Sequence, residues 1–231
     1  ARPIRIAPPV TMAVGTFPPH KLLMIYSHSN HQLTINRALR IIETNFFTSP
    51  VILSGNRSAI KMSDKKCVNI AVLTVSDTRT EADDKSGQIL VGRIQEAGHH
   101  LVEKKIIKDE ISLLQEQLKK WIASPDVDAV IATGGTGVTG RDITPEAFEE
   151  LYEKSIPGFG ELFRMLSYES IRTSSLQSRC TAGVANGTFL FALPGSTGAC
   201  KDGWDQILVH QLDSTHRPCN LVELMPRLLE K

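Results

Sequence analysis

An apolar run, Ala129-Val130-Ile131-Ala132, leads straight into Thr133-Gly134-Gly135-Thr136-Gly137, and no other stretch restricts the fold so tightly. The run is β-branched at its middle and flanked by polar residues, so it reads as a strand buried on both faces of a parallel sheet. Such a strand needs helices above and below it. The loop that follows has almost no side-chain bulk, so its backbone N–H groups can approach an anion closely, and the hydroxyls of Thr133 and Thr136 add hydrogen bonds. Phosphate is the natural guest. Downstream, Arg141 offers a planar fork suited to phosphate oxygens, and Asp142 a hard carboxylate suited to Mg2+. Thr144-Pro145-Glu146 reads as a helix start, with Thr144 as N-cap and Pro145 in the first position.

The neighbouring segments place that loop. Residues 68–75 form a buried strand running into the polar turn Ser76-Asp77-Thr78-Arg79, and Ser86 is positioned to cap a helix over 87–97 that Gly98 stops. Residues 101–107 form a second, more exposed strand ending at Lys108-Asp109-Glu110, and Leu114, Leu118, Trp121 and Ile122 mark the next helix. This β-α-β-α-β-loop-α order predicts an α/β fold of three layers, with helices on both faces of a mostly parallel sheet. Ligands belong at the C-terminal strand ends, where Ser76, Asp77, Asp109 and the glycine-rich loop all fall. A helix over 145–154 and another over 161–170 follow, the second carrying Leu162, Phe163, Met165 and Leu166 for the core or a subunit contact. Asn186-Gly187, between two apolar runs, is a hairpin signal that adds a C-terminal antiparallel pair. Pro194-Gly195-Ser196 opens a last helix.

Composition narrows the partners. A net charge of +1 over 231 residues gives no reason to expect nucleic acid or an anionic membrane. No apolar run approaches the roughly 20 residues of a membrane span. Cys67, Cys180, Cys200 and Cys219 are scattered without C-x-x-C spacing, so neither a disulfide framework nor a zinc site is signalled, and a cytoplasmic setting fits. Residues 1–61 differ in kind: Arg2, Arg5, Lys21, Arg37, Arg40, Arg57 and Lys61 face only Glu43 amid Pro, Ser, Thr and Asn. Acid-poor leaders of this type occur as transit peptides, whereas Met62-Ser63-Asp64-Lys65-Lys66 reads as a natural translation start. The second reading is preferred. It makes 1–61 a basic, low-complexity-like extension, non-native or disordered, and 62–231 the functional domain. Ile35, Leu39, Ile42 and Phe46 inside the extension have the spacing of one amphipathic helix.

Each of these residues also has a simpler structural reading. Taken singly, Asp142 is an acid before a helix N-terminus, Asp109 a turn residue, Ser76 and Asp77 turn formers, and Ser196 an N-cap. His99-His100 lacks a third metal ligand. Gly135, Gly137 and Gly140 satisfy G-x-G-x-x-G after a strand, which would suggest a nicotinamide or flavin oxidoreductase. The helix is expected to start only near Pro145, however, so those glycines do not open it.

From residue 68 to residue 220 the chain resembles the MoaB/MogA family of molybdenum-cofactor biosynthesis proteins. The resemblance rests on Thr133-Gly134-Gly135-Thr136-Gly137 with Arg141-Asp142 and Thr144-Pro145-Glu146-Ala147, then Pro157-Gly158-Phe159-Gly160-Glu161, Ser178-Arg179 and Leu193-Pro194-Gly195-Ser196. Phe163-Arg164-Met165-Leu166-Ser167, Leu176-Gln177-Ser178-Arg179 and Arg217-Pro218-Cys219-Asn220 look more like the MoaB branch than MogA. The resemblance implies a molybdopterin-binding, MogA-like fold assembled as a homotrimer or as a hexamer built from trimers. MogA-type members adenylylate the terminal phosphate of molybdopterin with Mg-ATP. Their two acidic positions correspond to Asp109 and Asp142, which would hold Mg2+ while Arg141 binds phosphoryl charge. Ser76, Asp77, Thr133, Gly134, Gly135, Thr136, Gly137, Glu161, Ser178, Arg179, Pro194, Gly195 and Ser196 would surround molybdopterin and ATP or GTP. The competing expectation is a non-catalytic carrier of molybdopterin or nucleotide.

Overall fold

The computed structural model describes residues 65–230. The extension over 1–61, its amphipathic helix and the start at Met62 lie outside the described residues. The described elements are β1 (Asn69–Val75), α1 (Lys85–Glu96), β2 (His100–Ile107), α2 (Ile111–Ile122), β3 (Ala129–Thr133) and α3 (Thr144–Glu149). Then come β4 (Lys154–Ser155), α4 (Pro157–Ile171), β5 (Thr181–Ala185), β6 (Thr188–Leu193) and α5 (Thr197–Gly203). The strands form one mixed sheet in the order β2-β1-β3-β6-β5-β4. The pairs from β2 to β6 are parallel, and β5 pairs antiparallel with both β6 and β4.

Strict alternation along the central strands divides the core into two layers. Ile70 and Val72 of β1, Ile131 of β3 and Phe189 and Phe191 of β6 meet Leu90 and Ile94 of α1, Phe159 and Phe163 of α4, and Trp204. Ala71, Leu73 and Val75, with Val130, Ala132 and Leu190, face Leu114, Leu118 and Trp121 of α2 and Phe148 of α3. Helices on both faces thus make the expected three-layer α/β/α sandwich. Because α1 packs on one face and α2 on the other, the chain reverses its winding at β1, and a crevice opens between the ends of β1 and β3. Among the described residues no helix is long and apolar enough to cross a membrane.

Several local expectations shift. Asp84, not Ser86, caps α1, its carboxylate accepting from the Gly87 amide at 3.0 Å. Thr144 is already helical rather than the N-cap of α3, and its hydroxyl donates instead to the Gly134 carbonyl at 2.8 Å. The helix ends at Glu149 rather than at 154, because Glu153 N and Ile156 N bond to the β5 carbonyls of Val184 and Ala182. This creates β4, a second antiparallel pairing with too few residues for a periodic signal. The Asn186-Gly187 hairpin forms as expected, with both residues at positive φ, 45° and 81°.

Candidate functional site

A cleft of about 900 Å³ opens over the C-terminal ends of β1, β2, β3 and β6. The glycine-rich loop forms its floor, and its shape is dictated by backbone crowding. Gly134 has φ +110°, and a Cβ there would lie 2.2 Å from the Val75 carbonyl oxygen of the adjacent strand. Gly135 has φ +62°, with Thr144 Oγ1 and Asp109 Oδ1 at 2.5 and 2.9 Å from such an atom. Only glycine lets the loop pass between β1 and α3. The Gly134 amide is consumed by the Leu193 carbonyl, 3.0 Å away. Those of Gly135 and Thr136 make no hydrogen bond among the described residues, which leaves them for an anion.

Ser76, Asp109, Gly134, Gly135, Thr136, Gly137, Arg141, Asp142, Ser178, Pro194, Gly195 and Ser196 all line the cleft. Four expected residues stand elsewhere. Thr133 is buried, its hydroxyl donating to the Pro194 carbonyl at 3.0 Å, so it ties β3 to the next loop instead of facing a ligand. Arg179 clamps the glycine-rich loop from outside: its guanidinium donates to the carbonyls of Gly137 and Asp142, each at 2.6 Å, and pairs with Glu146. Asp77 stands beside the cleft and holds Arg141 at 2.6 Å. Glu161 is exposed on α4, away from the lining.

The charged groups at the mouth differ in character. The Arg141 guanidinium beside Asp77 holds that carboxyl below the usual aspartate range. Burial and the nearby Asp77 charge push Asp109 up, against the opposing pull of the Asp77 backbone amide and of Arg141. At Asp142, partial burial acts against ionisation, but hydrogen bonds from the Thr139 amide and hydroxyl outweigh it and lower the pKa. Both Thr139 bonds fall on Oδ2, and the Gly137 amide adds its pull on the same carboxylate. Two carboxylates lining one cleft suit Mg2+, which takes one or two protein carboxylates and fills its shell with phosphate oxygens and water. Among the described residues no group of three or more His, Cys, Asp or Glu could hold a metal by itself.

Sequence reasoning missed two walls. Arg79 lines the cleft where the Ser76 turn meets Gly195. Ser167 and Ser170 on α4, with Ser174 and Ser175 behind it, supply a hydroxyl-bearing side. Polar residues on a helix carry no sign of what they will face, whereas Arg79 was visible as the sole cation of its turn. Cys200 lies behind the loop against Thr133 Oγ1, and burial pushes its thiol up to about 11, so it packs as a neutral group.

Behind the cleft, the Asp84 carboxylate is cut off from solvent and lies 2.8 Å from Lys104 Nζ and 2.8 Å from the Thr74 hydroxyl. Desolvation opposes its charge, but these partners and the Gly87 amide prevail and depress its pKa. A depressed folded pKa adds stability that is fully present above the ordinary aspartate value of 3.8 and disappears as pH falls through the lower folded value. Asp84→Asn is expected to lose about 3 kcal/mol at pH 7, the low end for a broken buried pair, since Lys104 keeps Glu81. Urea unfolding should show the wild-type and variant stabilities converging as pH drops below about 3.8. A difference unchanged at pH 3 would contradict this.

A doubly wound α/β sheet with a glycine-lined cleft at its winding reversal is an architecture suited to phosphate-bearing ligands. Residues 71–214 match the family described as "Probable molybdopterin binding domain", and the chain belongs to that MoaB/MogA family of molybdenum-cofactor biosynthesis proteins. It is 54% identical to "Molybdenum cofactor biosynthesis protein B" of Escherichia coli (strain K12) over 151 residues, 65% of this chain and 89% of the relative. Against the Bacillus subtilis (strain 168) protein of that description it is 45% identical over 146 residues, 63% and 86% of the two chains. Among solved structures, a "Molybdenum cofactor biosynthesis protein B" superposes with a TM-score of 0.62 at 42% identity, covering 64% of this chain and 92% of that one. The "tungsten cofactor synthesizing protein MoaB from Pyrococcus furiosus" follows at a TM-score of 0.57, 38% identity and coverages of 62% and 91%.

Proposed function

We propose that residues 62–231 bind molybdopterin and transfer the adenylyl group of Mg-ATP to its terminal phosphate, with GTP as the competing nucleotide. The observation that supports this is the convergence of Asp109, Arg141 and Asp142 on one cleft with the unpaired amides of the glycine-rich loop. In the reaction a phosphate oxygen of molybdopterin attacks the α-phosphorus of ATP. The new P–O bond completes a phosphoanhydride, the bond from the α-phosphorus to the bridging oxygen breaks, and pyrophosphate leaves with the electron pair. The nucleophile is already anionic, so no general base is required.

Charge neutralisation is therefore the main task, since two polyanions must meet. Mg2+, when bound, supplies Lewis-acid neutralisation of phosphate oxygens. Asp109 and Asp142 would hold it. Arg141, kept in place by Asp77, faces charge spreading onto the transferred group, and the amides of Gly135 and Thr136 cradle a phosphate. Mixing the purified protein with molybdopterin, Mg2+ and ATP tests the proposal. Adenylylated pterin and pyrophosphate are expected; tight binding without turnover would instead establish the carrier reading.

Self-association into a trimer or a hexamer built from trimers belongs to the same proposal. Met165 and Ile171 of α4 and Leu176 just beyond it are 61%, 52% and 84% exposed, an unusual grouping for an isolated surface. Met165→Glu is expected to shift the light-scattering mass of the purified protein from oligomer to monomer. An unchanged mass would remove α4 from the interface.

A further inference from the structure

Arg79 and the buried carboxylate behind it have no part in the chemistry outlined above, yet Arg79 lines the same cleft. The Arg79 guanidinium donates through Nη2 to the Gly195 carbonyl at 2.7 Å and through Nη1 to the Ser86 hydroxyl. A Cβ placed on Gly195 would lie 3.2 Å from Gly134 Cα and 3.8 Å from Arg79 Nη2, so the guanidinium stands where the glycine-rich loop meets the Gly195 loop. Its side chain is 30% exposed and lines the cleft. An arginine carries five N–H donors, and these two bonds leave donors over.

The charge balance points the same way. Asp84 is shut off from solvent, and its nearest cation is Lys104, at 2.8 Å. Thr74 and Gly87 occupy further acceptor positions on the same carboxylate. Arg79 Nη1 lies 3.8 Å from Asp84 Oδ1, the farther of the two cations on that carboxylate, while Lys104 also pairs with Glu81 at 2.6 Å. Arg79 is thus oriented by Asp84 and Ser86 but meets the carboxylate only at long range, and its guanidinium keeps donors for a ligand in the cleft.

We propose that Arg79 is a second phosphate-binding residue, gripping a phosphoryl group at the Gly195 side of the cleft, and that Asp84 is the positioning residue that holds it there. This rests on the assignment of the cleft to phosphate-bearing ligands and adds a cation separate from Arg141. The gripped group belongs either to a nucleoside triphosphate or to a phosphate monoester such as that of molybdopterin. A fork that can bond two phosphate oxygens at once fits both.

Calorimetric titration of the full chain with inorganic pyrophosphate tests the site without reference to pterin or adenine. Arg79→Met is expected to weaken binding by about tenfold, and Arg79→Lys, which keeps the charge and loses the fork, by less. The exposed Lys201→Met serves as the control and should leave affinity unchanged. Asp84→Asn decides the positioning role by its sign. Removal of a negative charge alone would tighten an anion, whereas loss of the brace weakens it, and the loss should vanish in an Arg79→Met background. Should Asp84→Asn not fold, Ser86→Ala removes the other brace, leaves the buried charges paired, and carries the same expectation. Wild-type affinity in Arg79→Met, or no pyrophosphate binding by the wild type, overturns the proposal. Parallel titrations with Mg-ATP and with molybdopterin then assign the source: the ligand whose affinity depends on Arg79 is the one it grips. Arg79-dependent pyrophosphate binding with neither substrate bound would sustain this site while refuting the proposed function.

Discussion

Gly134→Ala is expected to destabilise the protein by about 3–6 kcal/mol and to abolish ligand binding, although a single methyl group is all that is added. Gly134 follows the last residue of β3, and its φ of +110° is one that a side-chain-bearing residue adopts only under strain. The added carbon would meet the Val75 carbonyl oxygen at 2.2 Å, and that oxygen belongs to the backbone of β1. No rotamer change relieves such a contact. The glycine is also held on both sides, its amide by Leu193 O and its carbonyl by Thr144 Oγ1, so any shift breaks the link to β6 or to α3. For a domain of this size the loss corresponds to a fall in melting temperature of about 10–20 °C. Gly140→Ala supplies the contrast in the same loop, because nothing lies within 4 Å of its Cβ position and its φ is ordinary. It should change stability by less than about 0.5 kcal/mol. Thermal melts that fail to separate the two variants would refute the steric account.

That loop was legible before any coordinates, and the reason is that glycine at positive φ is a backbone requirement written in one residue. The central strands were legible for a related reason: each must be apolar on both faces, and β1, β3 and β6 are buried along almost their whole length. What escaped depends on long-range geometry. Whether Asp84 or Ser86 caps α1 is decided by Lys104 on β2 and Thr74 on β1, not by the residues beside the cap. Thr144 has the side chain of an N-cap, but the Gly134 carbonyl lies closer to hand. Arg179 was grouped with the ligand-binding residues because the resemblance rests in part on Ser178-Arg179; here its donors are spent on the loop's own carbonyls. The serines of α4 join the cleft because α4 packs against the sheet face on which Phe163 is buried, and Arg79 joins it through the Gly195 carbonyl, 116 residues away in the chain.

Asp142→Asn is expected to keep the fold and lower the proposed adenylylation by about 10²-fold, or roughly 3 kcal/mol of transition-state stabilisation. The substitution leaves an amide oxygen that can still accept both Thr139 hydrogen bonds, so the loop retains its shape. What disappears is the charge, the part that attracts a cation. The same exchange at Asp109 separates a functional carboxylate from a structural one. Burial and the neighbouring Asp77 charge raise its pKa, so its ionised form costs folding free energy at neutral pH, and Asp109→Asn should raise stability as activity falls. A turn residue that merely supported the fold would do the reverse. Both variants should also require more Mg2+ for half-maximal rate, since each removes a candidate ligand. Rates within twofold of wild type for well-folded Asp142→Asn would remove it from the chemistry, and a less stable Asp109→Asn would return that residue to a supporting role in its turn.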